Sequence, residues 1–160
     1  MGLGLAAVGL AAESDKHWQI ANGIFANASK DIAADGTLPL ELARQGRALS
    51  YHVFALQPLV VMAEMAAARG EDWYAMNDGA LHRLVAKTVE GLKDPSVFDT
   101  LAGVAQQRPV KSGYGWAFLY RDRHFGRMPD KIDQPGGHRW LGGDVDVLMR
   151  VLARRDPRPE

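Results

Sequence analysis

An all-α protein of helical hairpins stacked in layers is what the sequence predicts, and three observations predict it. Apolar residues recur at helical spacing in long runs, the order long helix, turn, long helix repeats, and no convincing run of alternating residues marks a strand. No fixed-period repeat is visible. A stack of hairpins buries its faces only when neighbours flank it on both sides. A chain that is apolar from its first residue is therefore expected to be a piece of something longer.

The elements follow in order. Met1 to Ala12 is apolar and small, and Leu10-Ala11-Ala12 imitates a secretory cleavage site. No Lys or Arg precedes Glu13, however, and the run falls short of the roughly 20 residues that span a bilayer. The expectation is a buried helix, with neither a signal peptide nor a membrane segment. From Lys16 to Ala33, Trp18, Ala21, Ile24, Phe25, Ala28 and Ile32 form one stripe, and Asp35-Gly36 supplies a stop. The run Arg47 to Arg69 is apolar nearly all round, as befits an inner helix, with Pro58 expected to kink it or to mark its true first turn. Gly70 ends it. Asp78 is placed to cap a third helix with the stripe Leu81, Leu84, Val85, Thr88, Val89 and Leu92, which closes before Asp94-Pro95. Its Arg83, Lys87 and Glu90 read as a solvated face.

A weaker segment, Val97 to Val104, precedes a loop over Gln106 to Gly113. Tyr114, Trp116, Phe118 and Tyr120 then crowd together in a short helix or an extended stretch. Met128 to Gly143 holds two prolines and two Gly-Gly pairs and reads as an irregular loop. Asp144 to Ala153 reads as a last helix. One domain over residues 1–153 with a frayed tail at 154–160 is expected.

Nineteen basic residues balance nineteen acidic ones, so no global field draws the chain to nucleic acid or to an anionic membrane. A polyanionic ligand must be met by a local basic cluster. Cysteine is absent, which excludes disulfides, thiolate metal sites and a cysteine nucleophile. His52, His82, His124 and His138 are scattered without metal-ligand spacing, and no metal site is expected. Arg121, Arg123, Arg127 and Lys131 are interrupted by Asp122 and Asp130 and read as a solvated edge.

The stretch richest in chemistry is Arg44-Gln-Gly-Arg47-Ala-Leu-Ser-Tyr51-His52. On a continuous helix Arg47 and Tyr51 lie one turn apart on one face. Arg44 then falls roughly 10 Å along the axis from Tyr51, at about 1.5 Å of rise per residue. Only a break at Gly46 would fold it back. The bland alternative is an ordinary helix entry with solvated arginines and a core tyrosine.

The run from Leu38-Pro39 through Glu41-Leu42, Arg44, Arg47-Ala48-Leu49 and Tyr51-His52 to Ala55-Leu56 and Pro58-Leu59 resembles the active-site helix of the alginate lyase family that cleaves poly-mannuronate. Gly79-Ala80-Leu81, Tyr114-Gly-Trp116 and Leu141-Gly142-Gly143 continue the resemblance in the same order. The resemblance implies part of an incomplete (α/α) toroid around a deep cleft, and β-elimination on mannuronate-rich alginate with no metal or organic cofactor. It also implies periplasmic localisation. Tyr51 would be the catalytic tyrosine and Arg44 its companion. Arg47, His52, Tyr114, Trp116, Tyr120 and Arg139 would contact the acidic polysaccharide. In the family's pattern an arginine directly precedes Leu-Gly-Gly, whereas here Trp140 intervenes after Arg139.

Such chemistry wants these residue types. Removing the proton on C5 of a uronate loads further negative charge onto a carboxylate, which donors with positive charge stabilise. A tyrosine has a reference pKa of about 10, and a nearby guanidinium favours its phenolate. The family also carries an Asn-His pair upstream of the helix corresponding to Met1 to Ala12. Here His17 follows Lys16 on a helix that does not match. The expectation is a truncated chain with impaired activity. The alternatives are a non-catalytic acidic-polysaccharide-binding remnant, or a helical module that self-associates through its N-terminal helix.

Overall fold

The computed structural model describes residues 1–107 and 113–128, together with Ile132, Gly137 and Gly143. The chain divides into two compact units, Met1–Pro109 and Val110–Glu160, where the sequence led to one domain over 1–153. The expected helix Asp144 to Ala153 and the tail 154–160 lie outside the described residues, as does most of the expected loop Met128 to Gly143.

The first unit contains α1 (Gly2–Ala11), α2 (Asp15–Lys30), α3 (Pro39–Leu42), α4 (Ala48–Ala68), α5 (Met76–Lys93) and α6 (Ser96–Ala102), with a 3-10 turn at Gln45–Arg47. No strand occurs among the described residues. Helices α1 and α2 form one hairpin, α4 and α5 another, and the hairpins stack by packing α1 on α4 and α2 on α5. The predicted apolar runs are thus helices, with ends shifted by a few residues. Pro58 lies in the interior of α4, not in its first turn.

Helix α1 is held close to its partners by missing side chains. A Cβ on Gly9 would meet the backbone nitrogen of Trp18 at 2.8 Å, so only glycine allows this turn to close. Its other side is open to solvent at Val8. Helix α4 is covered by α1, α3, α5 and α6. The stretch Gln45–Ala68 is long and apolar enough to cross a membrane, but half of its most apolar window is buried inside the protein, as for a core helix.

Between the hairpins sits an aromatic cluster in which Trp73 lies 5.0 Å from both Trp18 and Phe25, centroid to centroid. The carboxylate of Glu71 accepts one hydrogen bond from each indole, at 2.8 Å from Trp18 Nε1 and 2.8 Å from Trp73 Nε1. Arg69 covers the face of Trp18 at 4.6 Å and pairs with Asp15 at 3.3 Å. The Trp18–Trp73 and Phe25–Trp73 ring pairs contribute about 0.5–1.5 kcal/mol each beyond the area they bury.

One expected cap is absent. Asn77, Asp78 and Gly79 take φ values of 50°, 55° and 71°, a left-handed turn, and α5 is regular only from Ala80 onward. Asp78 cannot cap from that conformation. The turn is instead held by its carbonyls: Arg83 donates to Asp78 O at 2.6 Å and to Asn77 O at 3.2 Å. Arg83 is therefore a clamp as well as part of the solvated face, on which Lys87 and Glu90 pair at 2.7 Å.

In the second unit the aromatic stretch resolves to a helix, α7 (Gly115–Arg123), followed by a 3-10 turn at Phe125–Arg127.

Candidate active site

Arg44 and Tyr51 meet, by a route the continuous-helix geometry does not allow. Gln45 adopts φ 55° and the chain makes a 3-10 turn before α4 begins at Ala48. This elbow folds Arg44 back until its Cζ lies 4.9 Å from the Tyr51 ring centroid. Gly46 follows the break and is closely packed, since a Cβ there would sit 3.1 Å from the carbonyl oxygen of Ala105.

The Arg44 side chain is 56% exposed and its Nε lies 3.6 Å from Glu41 Oε2. Among the described residues its terminal nitrogens and the Tyr51 hydroxyl make no hydrogen bond. Tyr51 itself is half-buried on the rim of α4, not packed away in its core. A guanidinium stacked on a phenol ring gains cation–π energy of about 0.5–1 kcal/mol at an exposed site and leaves its fork of donors open to an anion.

The other residues named from sequence are placed differently. Arg47 is the residue before α4, with non-helical φ −110° and ψ 3°, so the one-turn relation to Tyr51 does not hold. Its Nε donates to Gln107 Oε1 at 3.3 Å. His52 is 0% exposed and makes a T-shaped contact with the Phe98 ring. Its Nδ1 donates to Ala48 O at 2.8 Å and its Nε2 accepts the Leu38 N–H at 2.9 Å. This pattern requires the neutral tautomer with the proton on Nδ1. Burial lowers its pKa from the ordinary 6.5, against the raising effects of the Ala48 carbonyl and of Asp35. With both nitrogens spent on the backbone, His52 has nothing left for a ligand, which corrects the substrate-binding role expected of it.

Tyr114, Trp116 and Tyr120 also depart from expectation, being 4%, 0% and 1% exposed. They offer a ligand almost no surface, because aromatic crowding in a sequence reads alike for a core and for a cleft wall. Burial raises the Tyr114 pKa, and pushes that of Tyr120 up to about 12 against the lowering effect of Arg127. Arg139 lies outside the described residues.

Two residues that sequence reading passed over hold the elbow. Gln106 Oε1 accepts the Leu49 N–H at 3.1 Å, its Nε2 donates to Gln45 O at 3.1 Å, and the Gln107 N–H donates to Gly46 O at 2.7 Å. A pair of glutamines opening a loop carries no sequence signal for such a role.

The alginate lyase family model matches residues 1–98. The chain is 48% identical over 159 residues to a polysaccharide lyase of Stenotrophomonas maltophilia, covering 98% of this chain and 47% of that protein. It is 34% identical over 137 residues to an alginate lyase of Pseudomonas aeruginosa, covering 81% of this chain and 36% of that one. Among solved structures it resembles alginate lyase A1-III, in a histidine-to-alanine variant, both in the apo form and complexed with a tetrasaccharide. Each has a TM-score of 0.79 and 26% identity over 92% of this chain, covering 44% and 45% of the solved chains respectively. The chain thus spans about half, or less, of the length of the proteins it matches. Its fold class is the expected one, all-α with stacked hairpins that form part of an (α/α) toroid. With the family model extending over more than half of its residues, the chain belongs to the alginate lyase family.

Proposed function

We propose that this chain carries the Tyr51 and Arg44 portion of a β-elimination site for mannuronate-rich alginate. The carrying observation is the guanidinium stacked 4.9 Å over a half-buried phenol at the rim of α4, with donors of one and hydroxyl of the other left open. Similarity to a structure solved with a tetrasaccharide supports an oligosaccharide ligand.

In this reading Arg44 binds the uronate carboxylate through its terminal nitrogens and stabilises the charge that builds there when the C5 proton leaves. The Tyr51 oxygen takes that proton as its phenolate, becoming the neutral phenol. The C4–O bond then breaks as the C4–C5 double bond forms, and the proton taken from C5 is returned to the departing oxygen. Atoms balance without a redox partner.

The test is to incubate the chain with poly-mannuronate and follow the ultraviolet absorbance of the unsaturated uronate. Wild type, carrying only part of the site, is expected to release it slowly, Tyr51→Phe to release none above background, and Arg44→Ala to lose about 10²-fold in kcat/KM. A folded Tyr51→Phe chain as active as wild type refutes the assignment. Retention on an alginate column without product, lost on Arg44→Ala, would establish binding without turnover instead.

A further inference from the structure

We infer that Gln106 is a positioning residue that holds Arg44 over Tyr51 by clamping the elbow before α4. This rests on the role proposed above for that pair. A helix start exposes backbone N–H groups that need acceptors, and α4 has no side-chain cap of its own. Gln106 supplies one from a segment 57 residues away in sequence, through Oε1 to the Leu49 N–H.

The other end of the same carboxamide faces three carbonyls. Nε2 donates its two hydrogens to Gln45 O and Val104 O at 3.1 Å each, with Phe98 O sharing one of them at 3.4 Å. Gln106 is fixed in turn, its N–H donating to Asp99 Oδ1 at 2.7 Å. One side chain thus ties α6, the strap that follows it, the elbow and the first turn of α4 together.

The elbow needs such a tie. Gln45 sits at φ 55°, a left-handed conformation that costs a residue with a Cβ roughly 1–2 kcal/mol. Arg44 is the next residue upstream, so any relaxation at Gln45 swings the guanidinium off the ring. A displacement of about 1 Å in a reacting constellation is enough to cost about 10²-fold in rate.

Gln106→Glu tests this with almost no change in shape. The carboxylate keeps an acceptor for the Leu49 N–H but turns a bare oxygen toward three carbonyl oxygens, whereas the protonated acid restores a donor. The first readout is the Arg44 Cδ–H resonance in chain labelled at arginine, assigned by its absence in Arg44→Lys and displaced by the Tyr51 ring current. In Gln106→Glu that displacement is expected to collapse at pH 7 and to return as the pH falls through the range where the new carboxyl takes up its proton. Wild type should hold it throughout, and Gln106→Ala should lack it at every pH.

The second readout is kinetic, with kcat in Gln106→Glu expected to fall about 10²-fold at pH 7 and KM to change less. A displacement that persists at pH 7 in both folded variants overturns the inference, as does its loss with kcat unchanged. A wild-type chain that cleaves no alginate sinks the proposed function alone, because the resonance still reports whether Gln106 holds the pair together.

Discussion

Replacing Gly91 by alanine should destabilise the chain relative to the same change at Gly23, although both lie inside helices. A glycine-to-alanine change in a helix interior gains about 1 kcal/mol from backbone entropy and propensity alone. At Gly23, in α2, a Cβ meets nothing within 4 Å, so the full gain is expected. At Gly91, in α5, a Cβ would press into the Phe98 ring, reaching Cε2 at 2.5 Å and lying closer still to Cδ2, with Leu49 Cδ1 at 3.0 Å. Phe98 and Leu49 are both 0% exposed, and the Phe98 ring also packs against His52 at 4.8 Å between centroids, which restricts its movement. Overpacking of this kind costs roughly 1–3 kcal/mol. Because the propensity gain is common to the two variants, that cost is what separates them. At about 2–4 °C per kcal/mol for a chain of this size, Gly91→Ala should melt roughly 2–12 °C below Gly23→Ala in thermal scans followed by far-ultraviolet circular dichroism. Equal melting temperatures, or a higher one for Gly91→Ala, would refute the close packing of α5 on Phe98 and Leu49.

The stability of the first unit should fall as the pH drops below about 6.5, because the unfolded His52 then binds a proton that the buried, neutral folded form resists. Denaturant midpoints at pH 7.5 and 5.5 should therefore differ more for wild type than for His52→Gln, and identical differences would discard the linkage. Asp35 lies outside this window, since hydrogen bonds from Thr37 hold its carboxyl below the usual 3.8. Glu71→Ala strips the acceptor from two nearly buried indoles, each costing about 1–3 kcal/mol when left unpaired, for a loss of roughly 2–6 kcal/mol in guanidinium unfolding monitored by tryptophan fluorescence. A loss under about 1 kcal/mol would mean that water replaces the carboxylate there.

Much of this protein is legible along its sequence because helical periodicity is a local property. Trp18, Ala21 and Phe25 are spaced to share a helix face, and all three are buried. The Arg44 to His52 cluster likewise declares itself by composition, and the meeting of Arg44 with Tyr51 depends on a break that Gly46 hinted at. What failed were readings that asked one-dimensional spacing to report three-dimensional surroundings. Asp78 has the right type and position for a cap, yet a left-handed turn held by Arg83 carries it away from the helix start. His52 sits beside Tyr51 in sequence, but neighbours on a helix point about 100° apart, and that angle separates rim from core.

The sequence by itself determined the helices, their punctuation and the candidate pair, since each is settled by residues within a turn or two of one another. Only the tertiary structure decided how that pair is held: Gln106 and Gln107 reach the elbow from about 60 residues further along the chain. Capping and clamping by a distant carboxamide leave no periodic trace, because hydrogen bonding depends on where the chain returns in space and not on what precedes it.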